Sequence, residues 1–145
     1  MAATLSPPPD GGIFVYWFYT HNFLSMEAMW IIGRILLGGL VLMSGFNHFM
    51  KFDMMKQYSA ANKVPMPGLA VLGTGLMLVL SGLSLIAWQY VGIGLILLAV
   101  FLFFTTMFMH RYWSVPAEQK VEHMRYFMGN MMLLGAVLIL MVYIL

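Results

Sequence analysis

From Gly33 to Phe52 the chain reads GRILLGGLVLMSGFNHFMKF, an apolar run interrupted by Arg34, Asn47 and His48. At about 100° per residue, Arg34, Gly38, Val41, Gly45 and His48 fall within about 80° of one another on a helix, and the opposite face is Leu, Ile and Met. A helix surrounded by lipid has no use for such a face, whereas a helix packed on partners around polar groups does. Three more apolar runs follow, and each has about the 20 residues needed to cross a bilayer. The expected fold is all-α: a four-helix transmembrane bundle with helices at about 26–50, 68–88, 91–110 and 124–145.

The intervening segments are distinct. Met1–Gly12 (MAATLSPPPDGG) is a Pro- and Gly-rich tail, expected in extended polyproline II conformation. It has no Lys or Arg ahead of an apolar core, so it does not read as a secretory signal. Ile13–Tyr19 (IFVYWFY) is too short to span and reads as an interfacial aromatic segment, with docking on a partner as the alternative. His21 and Asn22 are expected on the solvent side. Residues 1–25 thus form a tail and aromatic segment, and residues 26–145 form the membrane domain. Ser25 is the expected N-cap of helix one, with Glu27 in its first turn. Residues 52–60 are expected as a short amphipathic surface helix, stopped by Pro65 and Pro67. Gly68, Gly75 and Gly82 recur every seven residues in helix two, where small residues let a neighbouring backbone approach. Trp88–Tyr90 is short enough to make helices two and three an antiparallel hairpin.

Composition narrows the class. Hydrophobic residues make up 62% of 145 and charged residues 8%, against about 25% charged in soluble domains. Cysteine is absent, which excludes disulfides, thiolate chemistry and Cys-ligated metals. The net charge of +2 does not signal nucleic acid. It signals topology instead: Lys51, Lys56, Lys63, Arg111, Lys120 and Arg125 all fall in the two loops on one side. By the positive-inside rule both long loops are cytoplasmic and both termini outside, as in a prokaryotic inner membrane. The 16 Met residues are scattered through several helices and read as adaptable packing rather than a copper site.

This topology puts Asn47, His48, His110 and Asn130 in one leaflet, from three helices. Polar groups in hydrocarbon turn inward and find partners, so the four are expected to cluster in the bundle centre. Three readings stay open. The cluster is a hydrogen-bond network fixing helix register. Or it is a pocket for a quinone or another amphipathic small molecule. Or His48 and His110 are axial ligands to haem b. No metal site is expected otherwise. Arg34 belongs to the opposite leaflet, either snorkelling towards Glu27 and the interface or serving as an anion or carbonyl site. There is no P-loop, GxGxxG, nucleophile–base set or intramembrane acidic pair, hence no self-contained catalytic constellation.

The segments RILLGGLVLMSGFNHF, KVPMPGLAVLGTGLMLVLSGLSLI, FFTTMFMHRYW and MGNMMLLGAVLIL, in this order over residues 28–143, resemble the DoxX family of small four-helix membrane proteins. Arg34, Gly45, Pro65, Gly82, His110, Asn130 and Gly135 match recurrent positions of that family. His48 departs from it, standing where many members carry Lys. The family includes a membrane subunit linked to thiosulfate:quinone oxidoreduction. The resemblance therefore implies a subunit of a larger, quinone-linked electron-transfer assembly, with quinone or lipid near His48, Asn47, His110 and Asn130. Partners are then membrane lipids and other membrane subunits. A purely structural accessory subunit and a small oligomeric transporter are the alternatives.

Overall fold

The computed structural model describes residues 12–145, without side-chain detail at 16 and 18–24. The tail over residues 1–11 and the surroundings of His21 and Asn22 lie outside this description. Five α-helices follow in order: α1 Ile13–Met50, α2 Phe52–Ala61, α3 Pro67–Ala87, α4 Val91–Met109 and α5 Ala117–Ile144, with a short 3-10 turn at Tyr112–Ser114. Four stretches are long and apolar enough to cross a membrane, namely Ser25–Met50, Pro67–Ala87, Val91–Ser114 and Ala117–Ile144. No strand occurs among the described residues.

Two helices start earlier than apolarity alone suggests. α1 begins at Ile13 behind Gly12, so the aromatic stretch is continuous with the spanning helix and Ser25 lies inside it rather than capping it. No Pro or Gly stands between Ile13 and Gly33 to break the turn-to-turn hydrogen bonding. α5 begins at Ala117, directly after Pro116, with Glu118 in its first turn where the helix dipole favours an acid. Its first residues, AEQKVEH, are polar, but most are good helix formers. α2 takes its expected place as a short surface helix.

The backbones of α1 and α3, α3 and α4, and α4 and α5 approach closely in turn, whereas α1 and α5 have no comparable approach. The α1–α3 seam is the tightest. A Cβ at Gly82 would lie 2.6 Å from the Leu42 backbone nitrogen and 2.7 Å from the Gly38 carbonyl oxygen. One at Gly45 would lie 2.8 Å from the Val79 nitrogen, and one at Gly75 2.8 Å from the His48 Cβ. In lipid, association rests on such close van der Waals packing, because lipid tails are as apolar as the helices. Gly68 lacks this role: its Cβ would meet Phe52 at an ordinary 3.6 Å.

The core is Val41, Leu78, Leu85, Val91, Leu95, Leu98, Leu102, Leu134 and Val137, contributed by all four spans. Buried hydroxyls are satisfied within it: Ser81 Oγ donates to the Gly94 carbonyl, and Thr106 Oγ1 to Leu102 O at 2.6 Å. Leu36, Leu40, Met43 and Phe46 of α1 remain exposed, as lipid-facing residues should.

The α3–α4 turn is short and strained. Trp88 and Tyr90 both adopt left-handed backbone angles, φ 57° and 54°. Such angles cost a non-glycine residue about 1–2 kcal/mol. Ser84 offsets part of this: its hydroxyl donates to Gln89 O at 2.6 Å, and its backbone carbonyl accepts from Gln89 N at 3.2 Å. The Trp88 indole packs edge-on against Trp30, with centroids 4.5 Å apart.

Candidate functional site

On α1, Gly38, Val41 and Gly45 are buried and Arg34 and His48 half-buried, so the polar–small stripe faces the bundle as its periodicity requires. Its two ends lead to two different cavities. The larger, about 470 Å³, lies at the end of the bundle that carries the two polar connections. His48 of α1 and His110, the residue that ends α4, both line it. α4 adds Phe101, Phe104, Thr105, Phe108 and Met109, and α3 adds Ala70, Val71 and Thr74. α2 closes it with Met55, Tyr58 and Ser59, and Val64 and Pro65 complete the wall. Arg111 fixes this cover by donating from a terminal guanidinium nitrogen to the Asn62 carbonyl at 3.3 Å.

The two imidazoles differ. His48 Nδ1 lies 2.8 Å from the Ser44 carbonyl, which can only accept, so Nδ1 carries the proton and neutral His48 keeps Nε2 as an acceptor. Its ring meets Phe101 edge-on at 6.0 Å. The His110 ring lies 5.1 Å from that of Tyr126 and 6.1 Å from that of His123. The Nδ1 atoms of His110 and His123 are both buried without a hydrogen-bond partner. Burial raises the Tyr58 phenol above its ordinary 10.0, as do the Glu122 carboxylate and Tyr126, while a hydrogen bond with Asn62 opposes this. At neutral pH Tyr58 is thus a hydroxyl donor at the cavity wall. Phe104 and Phe108 are also half exposed on the outer surface, so the cavity borders the lipid side. Among the described residues no three His, Asp or Glu side chains form a metal-holding group.

The expected four-residue cluster divides. His48 and His110 share the cavity, but Asn47 and Asn130 do not line it. Successive helical residues are about 100° apart, so a cavity-facing His48 turns Asn47 away. Asn130 sits on the inward stripe of α5 with Phe127, Leu134 and Val137, but no residue of α5 lines this cavity. Tyr58 and Ser59 were missed by reasoning on spans alone. The signal for them was the amphipathic period of residues 52–60, which turns Met55, Tyr58 and Ser59 to one side.

Arg34 lies at the opposite end of the bundle. Its guanidinium carbon is 5.9 Å from the Trp88 ring centroid, and its Nε is buried without a hydrogen-bond partner. No ion pair with Glu27 forms; seven residues, about 10.5 Å, separate the two along the helix. A cavity of about 250 Å³ surrounds Arg34, lined by α1, α3 and one residue of α5.

Four apolar spans, a glycine seam and apolar cavities at the two ends define an integral membrane bundle of four spanning helices. The chain belongs to the DoxX family, whose model matches residues 29–111. That match runs from α1 to the residue after His110 and leaves out α5, so it covers the first two resembling segments and the third as far as Arg111. No curated protein and no solved structure matches the chain.

Proposed function

We propose that the 470 Å³ cavity binds a quinone or a similar amphipathic carbonyl compound, and that the chain serves as a subunit of a quinone-linked membrane assembly. The observation that carries this is the pairing of His48 and His110 in one apolar, aromatic-walled cavity bordering lipid. Ligand sites of this size are mostly apolar with a few polar groups that fix orientation. A quinone carbonyl accepts from an N–H or O–H, as the Tyr58 hydroxyl and the one N–H of a neutral His110 imidazole supply. A quinol hydroxyl donates to an acceptor, as His48 Nε2 supplies. The aromatic rings of Phe101, Phe104 and Phe108 suit a flat head group.

The test uses the full chain purified in mild detergent. A short-chain ubiquinone analogue is expected to quench its fluorescence saturably, and His110→Phe to weaken binding about tenfold, the size of one buried hydrogen bond. No saturable binding, or equal binding by the variant, sinks the quinone reading. A visible-range haem spectrum in the same preparation would favour axial ligation by the two histidines instead. Recovery of the chain without other membrane subunits would count against the assembly.

The proposed orientation has both long loops in the cytoplasm, in a prokaryotic inner membrane, supported by six basic residues at one end of the bundle against Arg34, inside a span, at the other. A reporter fused after Leu145 is expected to be active outside the cytoplasm; activity inside would reverse the orientation.

A further inference from the structure

We infer that the cavity around Arg34 is a second ligand site, built for the oxyanion head of a single-headed anionic amphiphile. Arg34 makes no hydrogen bond or ion pair with any described residue, and its Nε is shut off from solvent without a partner. A guanidinium has five donors and no acceptor, so what it lacks is an anion. Trp88 meets it only through the ring face, which attracts the charge but satisfies no N–H. A carboxylate or phosphate would accept two parallel N–H bonds from the planar fork.

The surroundings say what the anion is attached to. Leu37, Leu85 and Leu140 line much of the 250 Å³ cavity with Met29 and Gly33, and Trp30 and Trp88 close one side. Apart from Arg34 no lining residue is charged, so a free hydrophilic anion would leave its other faces against hydrocarbon. An anionic head on an aliphatic chain matches both parts. The chain has a way in, because α1 and α5 do not approach closely and Leu140 is the single α5 residue at the cavity. The depth is also right: Arg34 is level with Trp88, the residue that ends α3, where Trp side chains favour the head-group boundary.

A second observation concerns the backbone of the wall beside Arg34. Trp88 occupies a left-handed position that glycine or asparagine would hold with less strain. Its indole is the side chain that bridges Trp30 and the guanidinium. The strain is kept where it builds a wall of this cavity.

Lipid phosphate and fatty-acid carboxylate offer the same chemistry, and the test separates them. The full chain in a non-ionic maltoside detergent is titrated with phosphatidic acid, with oleate, and with dioleoylglycerol, which lacks the anion, while tryptophan fluorescence is followed. Saturable binding of phosphatidic acid or oleate is expected, with dioleoylglycerol inert, and the tighter of the two identifies the source. Arg34→Gln is expected to lower that affinity at least about tenfold, and Arg34→Lys, which keeps the charge without the fork, by less. Should Arg34→Gln not fold, Arg34→Lys against Trp88→Phe gives the reading. Both are expected to weaken binding of the anion and leave that of the quinone analogue at the other end unchanged. Equal affinity of wild type and Arg34 variants, or equal binding of dioleoylglycerol, overturns the inference.

Discussion

Gly82→Ala is expected to destabilise the bundle by about 2–3 kcal/mol, a large effect for one methyl group. The added carbon would meet backbone atoms on α1, at 2.6 Å from Leu42 N and 2.7 Å from Gly38 O, and backbone cannot rotate out of the way as a side chain can. The two helices must separate, which removes van der Waals contact along the whole seam. Gly73→Ala is the control: nothing lies within 4 Å of its Cβ, and alanine is the better helix former by about 1 kcal/mol. Thermal melting in detergent, followed by circular dichroism, separates the two. Gly82→Ala should melt about 4–12 °C below wild type, at about 2–4 °C per kcal/mol for a chain of this size, and Gly73→Ala at or above it. Identical melting of Gly82→Ala and wild type would show that the seam does not hold the bundle together.

Ala70→Phe is expected to abolish binding in the 470 Å³ cavity, more than the tenfold loss expected from removing one histidine. Ala70 lies on α3 in the cavity wall, and a phenyl there takes the volume a ring-shaped ligand needs. Binding lost by exclusion does not depend on which polar contacts a ligand uses, so the variant also tests amphipathic ligands other than quinones. Ala136→Phe, on the exposed side of α5, adds the same ring away from the cavity and is expected to bind like wild type. Retained affinity in Ala70→Phe would move the site elsewhere.

How far the sequence foretold this molecule differs by feature. The α3 and α4 spans matched to within a residue, because Pro67 and the Trp88–Tyr90 turn bracket them chemically. The starts of α1 and α5 did not, because apolarity marks where a helix enters hydrocarbon, not where its hydrogen bonding begins. The face of Arg34, Gly38, Val41, Gly45 and His48 was legible because the 3.6-residue period is a property of the single helix. Which of Asn47 and His48 reaches the cavity was less so, since it depends on how α1 is rotated against α3. That rotation is fixed by Gly75 and Gly82, on another helix. The α2 cover and the left-handed Trp88 depend on tertiary contacts and left only faint local signals.

The unbroken run of α1 has a mechanical consequence. From the level of Arg34 and Trp88 to Ile13 is 21 residues, about 30 Å of helix beyond the point where α3 turns into α4. A continuous helix is a stiff mast, and its azimuth is locked to the glycine seam at its foot. The Phe14–Trp17 stack near its tip therefore points in a direction set by Gly38 and Gly45. Adding one residue between Met26 and Met29 would swing that pair by about 100° and leave Trp30 and the glycine seam in place. Whatever meets the tip senses the phase of the helix as well as its side chains.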